Sequence, residues 1–135
     1  MGVVADKLKE LREREAKTLE MGGPEAVAQQ LGRGKMTARE RLNYFFDPGS
    51  FREIDMFVKH RGTLFGIDKM DIPAEGVITG FGDVNGRQVF AYAQDFTARA
   101  GSLGEMHAKK ICKVMDLSLR AGKPIVGFCD SGGAR

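Results

Sequence analysis

The run Asp130-Ser131-Gly132-Gly133-Ala134-Arg135 follows an apolar stretch, Ile125 to Cys129, and the chain changes there from the composition of a strand to small and polar residues. A strand ending this way presents backbone groups at its carboxyl edge, where open α/β sheets gather their ligands. Small residues let a ligand approach the main chain closely, so the N–H groups of Gly132, Gly133 and Ala134 are candidate donors to a single carbonyl oxygen. Two such donors form an oxyanion hole, and losing one typically costs about 3–4 kcal/mol of transition-state stabilisation. An ordinary strand-to-helix turn accounts for a Gly-Gly pair as well. A second strand end, Gln94 to Ser102, has the same small-residue character.

Side-chain chemistry is sparse. His60 and His107 lack evident partners, and His107 falls inside an amphipathic segment, where a structural role explains it. Ser131 has neither the G-x-S-x-G elbow nor a visible base. Asp95 and Asp130 occupy matching strand ends and are candidates for an acid–base pair, or simply for turn caps. His60, Arg61 and Lys69 lie in one loop and are either anion contacts or solvated charges. No CxxC or HxxxH pair is present, so no metal site is expected. Cys112 and Cys129 stand in apolar surroundings and read as buried, reduced thiols, which suits a cytoplasmic protein. The net charge of +3 comes from charges interleaved along helices such as KLKELREREAK, a pattern that does not suggest nucleic-acid binding. Neither a signal core nor a membrane-length apolar run is visible.

The 135 residues, 42% of them hydrophobic, are enough for one core. Residues 1–34 read as a helical arm: a long charged helix stopped at Gly22-Gly23, then a short one opening at Pro24 and ending before Gly32. With few apolar positions, the arm is expected to be solvated and to order against a partner surface. From residue 35 to 135 a second unit follows. Thr37 and Glu40 form a capping box ahead of Leu42, Phe45 and Phe46, and Asp47-Pro48-Gly49-Ser50 stops that helix. FREIDMFV reads as an edge strand, and KHRGTLFGIDKMDIPAE as a long loop. Asn85-Gly86 then predicts a type I′ hairpin between GVITGFGDV and RQVFAYAQDF, the latter covered on both faces. Ser102 and Glu105 suggest a second capping box, opening a helix whose core face is Ala108, Ile111, Cys112, Met115 and Leu119. Gly122 and Pro124 end it, and PIVGFC is a second buried strand, parallel to the first through a right-handed crossover.

TARERLNYFFDPGSF, KHRGTLFG, PAEGVITGFGDVNGR, QDFTARAGSLGEMHAKKICKVMD and PIVGFCDSGGAR, in this order, resemble successive landmarks of biotin-dependent acyl-CoA carboxyltransferases. That family includes propionyl-CoA carboxylase β subunits, the transcarboxylase large subunit and the carboxyltransferase subunits of sodium-pumping methylmalonyl-CoA decarboxylases. The resemblance runs from about Lys35 to Arg135. It implies an α/β, crotonase-like fold of strand–strand–helix units and assembly as a hexamer. It also implies that amides near Gly133 and Ala134 donate to the acyl-CoA thioester oxygen. Phe96, Thr97, Ala98, Gly101 and Ser102 would line the thioester and pantetheine path, and Arg61 and Lys69 would meet the charged end of CoA.

Carboxyl transfer between carboxybiotin and a short acyl-CoA such as propionyl-CoA is the implied reaction, with the biotin ureido group able to act as base. The cofactor, biotin, would be carried by a partner carrier protein or domain. A biotin carboxylase, or the membrane subunit of a decarboxylase, would be a further partner. Family members are much longer, so the resemblance implies that this chain is the front part of such an enzyme, inactive alone. The alternatives are the reverse reaction in a decarboxylase, a non-catalytic piece that fills a protomer interface, and a crotonase-type hydratase. The last needs carboxylates on a later helix.

Overall fold

The structure, a computed structural model, describes residues 2–135. Three helices come first, α1 (Val3–Leu19), α2 (Pro24–Gly32) and α3 (Ala38–Phe45). They lead into a mixed sheet of β1 (Arg52–Ile54), β2 (Val77–Val84), β3 (Arg87–Gln94) and β4 (Ile125–Phe128), with α4 (Glu105–Ala121) between the last two strands. Strand order is β1-β2-β3-β4, antiparallel except for the parallel β3–β4 pair that α4 connects. Among the described residues, no helix is long and apolar enough to cross a membrane.

Local chemistry sets these boundaries. Thr37 accepts from the Glu40 N–H while the Glu40 carboxylate accepts from the Thr37 N–H, so the expected capping box starts α3. Asn85 and Gly86 both have positive φ, 51° and 76°, which gives the tight hairpin. The Asp47 carboxylate accepts both turn amides at 2.9 Å, tying the end of α3 to the hairpin. Alternation along β3 turns Val89, Ala91 and Ala93 toward α3, where Ala38, Leu42, Phe46 and Ile78 complete a buried cluster. Phe90, Tyr92 and Gln94 face the other way, toward α4. β3 is therefore covered on both sides, as its apolar sequence predicts.

Several expectations are corrected. α4 begins at Glu105 with Gly104 as its N-cap and no side-chain cap, so Ser102 and Glu105 form no capping box; Glu105 instead pairs with Arg61 and Lys109. The buried face of α4 is His107, Lys110, Val114 and Ser118, not the apolar stripe. Met115 and Leu119 on that stripe are 49% and 81% exposed, and Cys112 is exposed as well. The inner face has to satisfy backbone carbonyls, described below, and that demand overrides hydrophobic periodicity. Cys129 is also exposed, because β4 is an outer strand of the sheet and only half-buried. Strand β1 is three residues long rather than eight, ended by the positive φ of Asp55 (58°).

A buried leucine of α3 and an exposed one of α4 should differ in cost. Leu42→Ala should lower the unfolding free energy of this chain by about 2–5 kcal/mol through cavity formation. Leu119→Ala should change it by less than about 0.5 kcal/mol. Equal losses in urea denaturation would show that the outer stripe is buried in solution.

Candidate functional site: the joined ends of β3 and β4

The chain leaves β3 at Gln94 and β4 at Phe128, and the two segments that follow run side by side. The Gly132 N–H donates to the Ala100 carbonyl at 2.8 Å, the Leu103 N–H to the Gly133 carbonyl at 2.8 Å, and the Arg135 N–H to the Leu103 carbonyl at 2.9 Å. Leu103 and Ala134 thus form a parallel bridge beyond the ends of the strands. To reach this register, Arg99, Ala100 and Gly101 take left-handed φ values of 52°, 54° and 59°. Two of the three carry a side chain there, a strain of the kind that collects at functional sites. Gly101 is fixed by close approach as well as by φ: a Cβ there would strike the Asp130 carbonyl.

This geometry separates the three candidate donors. The Gly132 amide is engaged by Ala100 and is not free for a ligand, because it forms part of the join. Gly133 donates only to the Ser131 hydroxyl at 3.2 Å, and that hydroxyl donates back to the Gly133 carbonyl at 3.1 Å. Among the described residues the Ala134 N–H has no acceptor, and residues 131–134 are all exposed. Gly133 has φ of 128°, a conformation open to glycine and strained for other residues.

The loop Phe96–Ser102 is less open than a ligand-lining segment needs to be along its whole length. Ala98 and Gly101 are buried and pack within the join, whereas Phe96, Thr97 and Ser102 are partly exposed. Thr97 is bound to the arm, its hydroxyl accepting the Gly22 N–H at 3.0 Å and donating to the Asp95 carboxylate at 2.6 Å. The Phe96 ring lies under Arg33 and Lys35, 6.0 and 5.7 Å from their charged groups. A cavity of about 370 Å³ opens beside the Thr97–Gly22 contact, lined by Gly22, Gly23, Ile72, Thr97, Ala98 and Arg99 among others. Arg61 pairs with Glu105 at the start of α4, and Lys69 is exposed on the loop Ile67–Lys69.

The carboxylates at the two strand ends have different surroundings. Burial pushes the Asp95 carboxyl up, with the Thr97 hydroxyl and amide opposing. For Asp130, burial also raises the carboxyl, but Arg41, Gln30 and Lys35 outweigh it and hold it below the usual range. These three donors lie at 2.9, 3.0 and 3.2 Å and come from α3, the arm and the segment between them, respectively. The turn-cap account fits Asp95, which accepts the Thr97 N–H at 3.0 Å, whereas Asp130 accepts from the side chains of Gln30, Lys35 and Arg41 and acts as an anchor for them. The arm is accordingly not free: α1 has no buried residue, yet α2 and the segment after it grip the site.

Sequence reasoning missed the group beneath the site. Ala74, Glu75 and Gly76 form a second left-handed turn, with φ of 49°, 58° and 72°. α4 satisfies its carbonyls: Lys110 donates to Ala74 and Val77 at 2.6 and 2.5 Å, and His107 Nδ1 donates to Glu75 at 2.9 Å. His107 Nε2 lies 3.2 Å from the Gln94 amide nitrogen, which fixes a neutral ring that accepts on that side. Burial lowers the His107 pKa to about 4 and the Lys110 pKa to about 8. His60, too, has a partner, the Met70 carbonyl at 2.9 Å. Only the close spacing of His107 and Lys110 on one helix hinted at a polar inner face.

With this geometry established, comparison with known proteins is decisive. Residues 29–135 match the carboxyl transferase domain family. The chain belongs to that family. It is 55% identical over 135 residues to the methylmalonyl-CoA decarboxylase subunit alpha of Propionigenium modestum, covering 100% of this chain and 26% of that protein. It is 52% identical over 130 residues to the propionyl-CoA carboxylase carboxyltransferase subunit of Haloferax mediterranei, covering 96% and 25%. Among solved structures, transcarboxylase 12S, with hydrolyzed methylmalonyl-coenzyme A bound, superposes with a TM-score of 0.97 at 45% identity, covering 100% of this chain and 26% of that one. The fold is that of the crotonase-like carboxyltransferases. The chain spans about a quarter of the length of the relatives it matches.

The buried neutral histidine predicts acid sensitivity. His107 has a folded pKa of about 4 against an ordinary value of 6.5, so the native state binds fewer protons than the unfolded state between these limits. Its contribution is therefore intact above pH 6.5 and lost as pH falls toward about 4. Urea midpoints measured between pH 7 and pH 4 should decline less steeply in His107→Gln; the same slope in the variant would exclude His107 as the cause.

Proposed function

We propose that this chain takes part in carboxyl transfer between carboxybiotin and a short-chain acyl-CoA, propionyl-CoA or methylmalonyl-CoA, as part of a larger carboxylase. The observation that carries the reading is the free, exposed N–H of Ala134, held beyond the end of β4 by the join on either side of it. In the proposed reaction the α-carbon loses its proton, which the biotin ureido group would accept once its carboxyl group has left, and the thioester oxygen gains negative charge. The Ala134 N–H donates to that oxygen throughout, and the Gly133 N–H joins it on releasing the Ser131 hydroxyl. The Ala134 amide is set by the backbone before substrate arrives, so little reorganisation opposes it. Phe96, Thr97 and Ser102 line the approach, and Lys69 takes the anionic end of CoA. Biotin, borne on a carrier protein or domain, supplies the carboxyl group. The donor amides suit the acyl-CoA side of such a transfer, since they offer hydrogen-bond donors to a carbonyl oxygen.

A cytoplasmic hexamer with a biotin carboxyl carrier and a biotin carboxylase is the assembly we propose. The 55% identity to a methylmalonyl-CoA decarboxylase subunit favours a second reading, the same half-reaction run from methylmalonyl-CoA toward the carrier in a sodium-pumping complex.

The amide reading is tested by deleting the donor itself. In the assembled enzyme, Ala134→Pro removes the N–H and should lower turnover of propionyl-CoA about a hundred- to a thousandfold. Ser131→Ala frees the Gly133 amide and should retain most activity. Wild-type turnover by a correctly assembled Ala134→Pro enzyme, or its abolition by Ser131→Ala alone, would show that the site works through a side chain.

A further inference from the structure

Glu75 is fully buried, an unusual place for a carboxylate, and its peptide is strained with φ of 58°. One carboxylate oxygen pairs with the Arg135 guanidinium; the other has no partner among the described residues. A half-satisfied buried ion pair contributes little to stability compared with an apolar pair of the same shape, so stability alone does not explain it. Arg135 explains it better. Its guanidinium also donates to the Ser102 carbonyl, while its backbone N–H donates to the Leu103 carbonyl at 2.9 Å. One residue therefore fastens the segment after β4 to the segment after β3, and through Glu75 to the turn that opens β2.

We propose that the Glu75–Arg135 ion pair is a positioning device, which holds the segment after β4 in the register that turns the Ala134 N–H outward. The proposal rests on the oxyanion reading of Ala134. The Leu103 bonds to Gly133 and Arg135 bracket Ala134, so its amide direction depends on both surviving. Glu75 in turn is held by α4, since its carbonyl accepts from His107 and the flanking carbonyls of Ala74 and Val77 accept from Lys110. The inner face of α4 thus sets the turn, the turn sets Glu75, Glu75 sets Arg135, and Arg135 sets the donor. Neither Glu75 nor Arg135 needs to touch substrate.

Glu75→Gln keeps the shape and removes the charge. Hydrogen exchange followed by mass spectrometry on this chain should show faster exchange at the amides of Leu103, Gly132 and Arg135, with β2 and β3 unchanged. In the assembled enzyme, the same variant should lower kcat about a hundredfold, the scale of a small misplacement at a reacting centre, with KM for acyl-CoA near the wild-type value. If Glu75→Gln fails to fold, Glu75→Gln/Arg135→Gln, which removes both charges together, gives the same readings. Unchanged exchange at those three amides overturns the proposal. So does faster exchange spread evenly over β2 and β3, or a wild-type kcat. The exchange measurement requires no turnover, so it decides the clamp even if an inactive wild-type enzyme refutes the carboxyltransferase reading.

Discussion

Everything about this site depends on three backbone hydrogen bonds between the segments that follow β3 and β4. They extend the parallel pairing past the strands proper and hold the two ends in one register. To make them, the chain after β3 passes through the left-handed turn Arg99–Gly101. On the β4 side the join uses two amides, those of Gly132 and Arg135, and leaves those of Gly133 and Ala134 between them out of it. A parallel strand bonds alternate amides to its neighbour, so the free donor at Ala134 follows from the pairing itself. The site is thus a by-product of sheet geometry continued a few residues too far for a regular strand.

The sheet and its helices were legible in the sequence because they rest on local signals. Thr37 with Glu40, Asn85 with Gly86, and Gly122 with Pro124 each specify one backbone event, and each event occurs where these residues stand. The nearly unbroken apolar run of β3 likewise predicted cover on both faces. The candidate site was read at a strand end from the change in composition at Asp130. What failed to show were contacts between residues distant in sequence. Nothing near Gly132 reveals that Ala100 will take its amide, and nothing near Asp130 announces Gln30, Lys35 and Arg41. The left-handed turn at Ala74–Gly76 was equally hidden, since Ala and Glu are not residues that favour positive φ.

The error at α4 has a specific physical origin. Periodicity identifies the apolar stripe of a helix and assumes that it faces the core. Here the neighbour is not a smooth apolar sheet but a strained turn whose carbonyls point at the helix. Buried carbonyls without donors cost about 1–3 kcal/mol each, so a long donor such as Lys110 is favoured there over a leucine. Lysine can serve because its stem crosses apolar ground before the ammonium reaches the Ala74 and Val77 carbonyls. Its desolvation is the cost, visible in the pKa lowered to about 8. The apolar stripe is left on the outside, with Leu119 largely exposed.

The arm completes the same logic from the opposite side. Asp130 follows β4 directly before the amides proposed as donors, and in that proposal a bare carboxylate would oppose negative charge developing on a nearby oxygen. Gln30, Lys35 and Arg41 all donate to it, while Arg33 and Lys35 add positive charge above the Phe96 ring. The field around the strand ends is therefore set largely by residues that precede Asp130 by 89 to 100 positions in sequence. α1 buries none of its own residues, so its contribution is confined to tethers, such as Lys17 to Asp71 at 2.6 Å, that bring the arm across the loops. An arm with little apolar surface can still be ordered, because what it docks against is an aspartate that needs it.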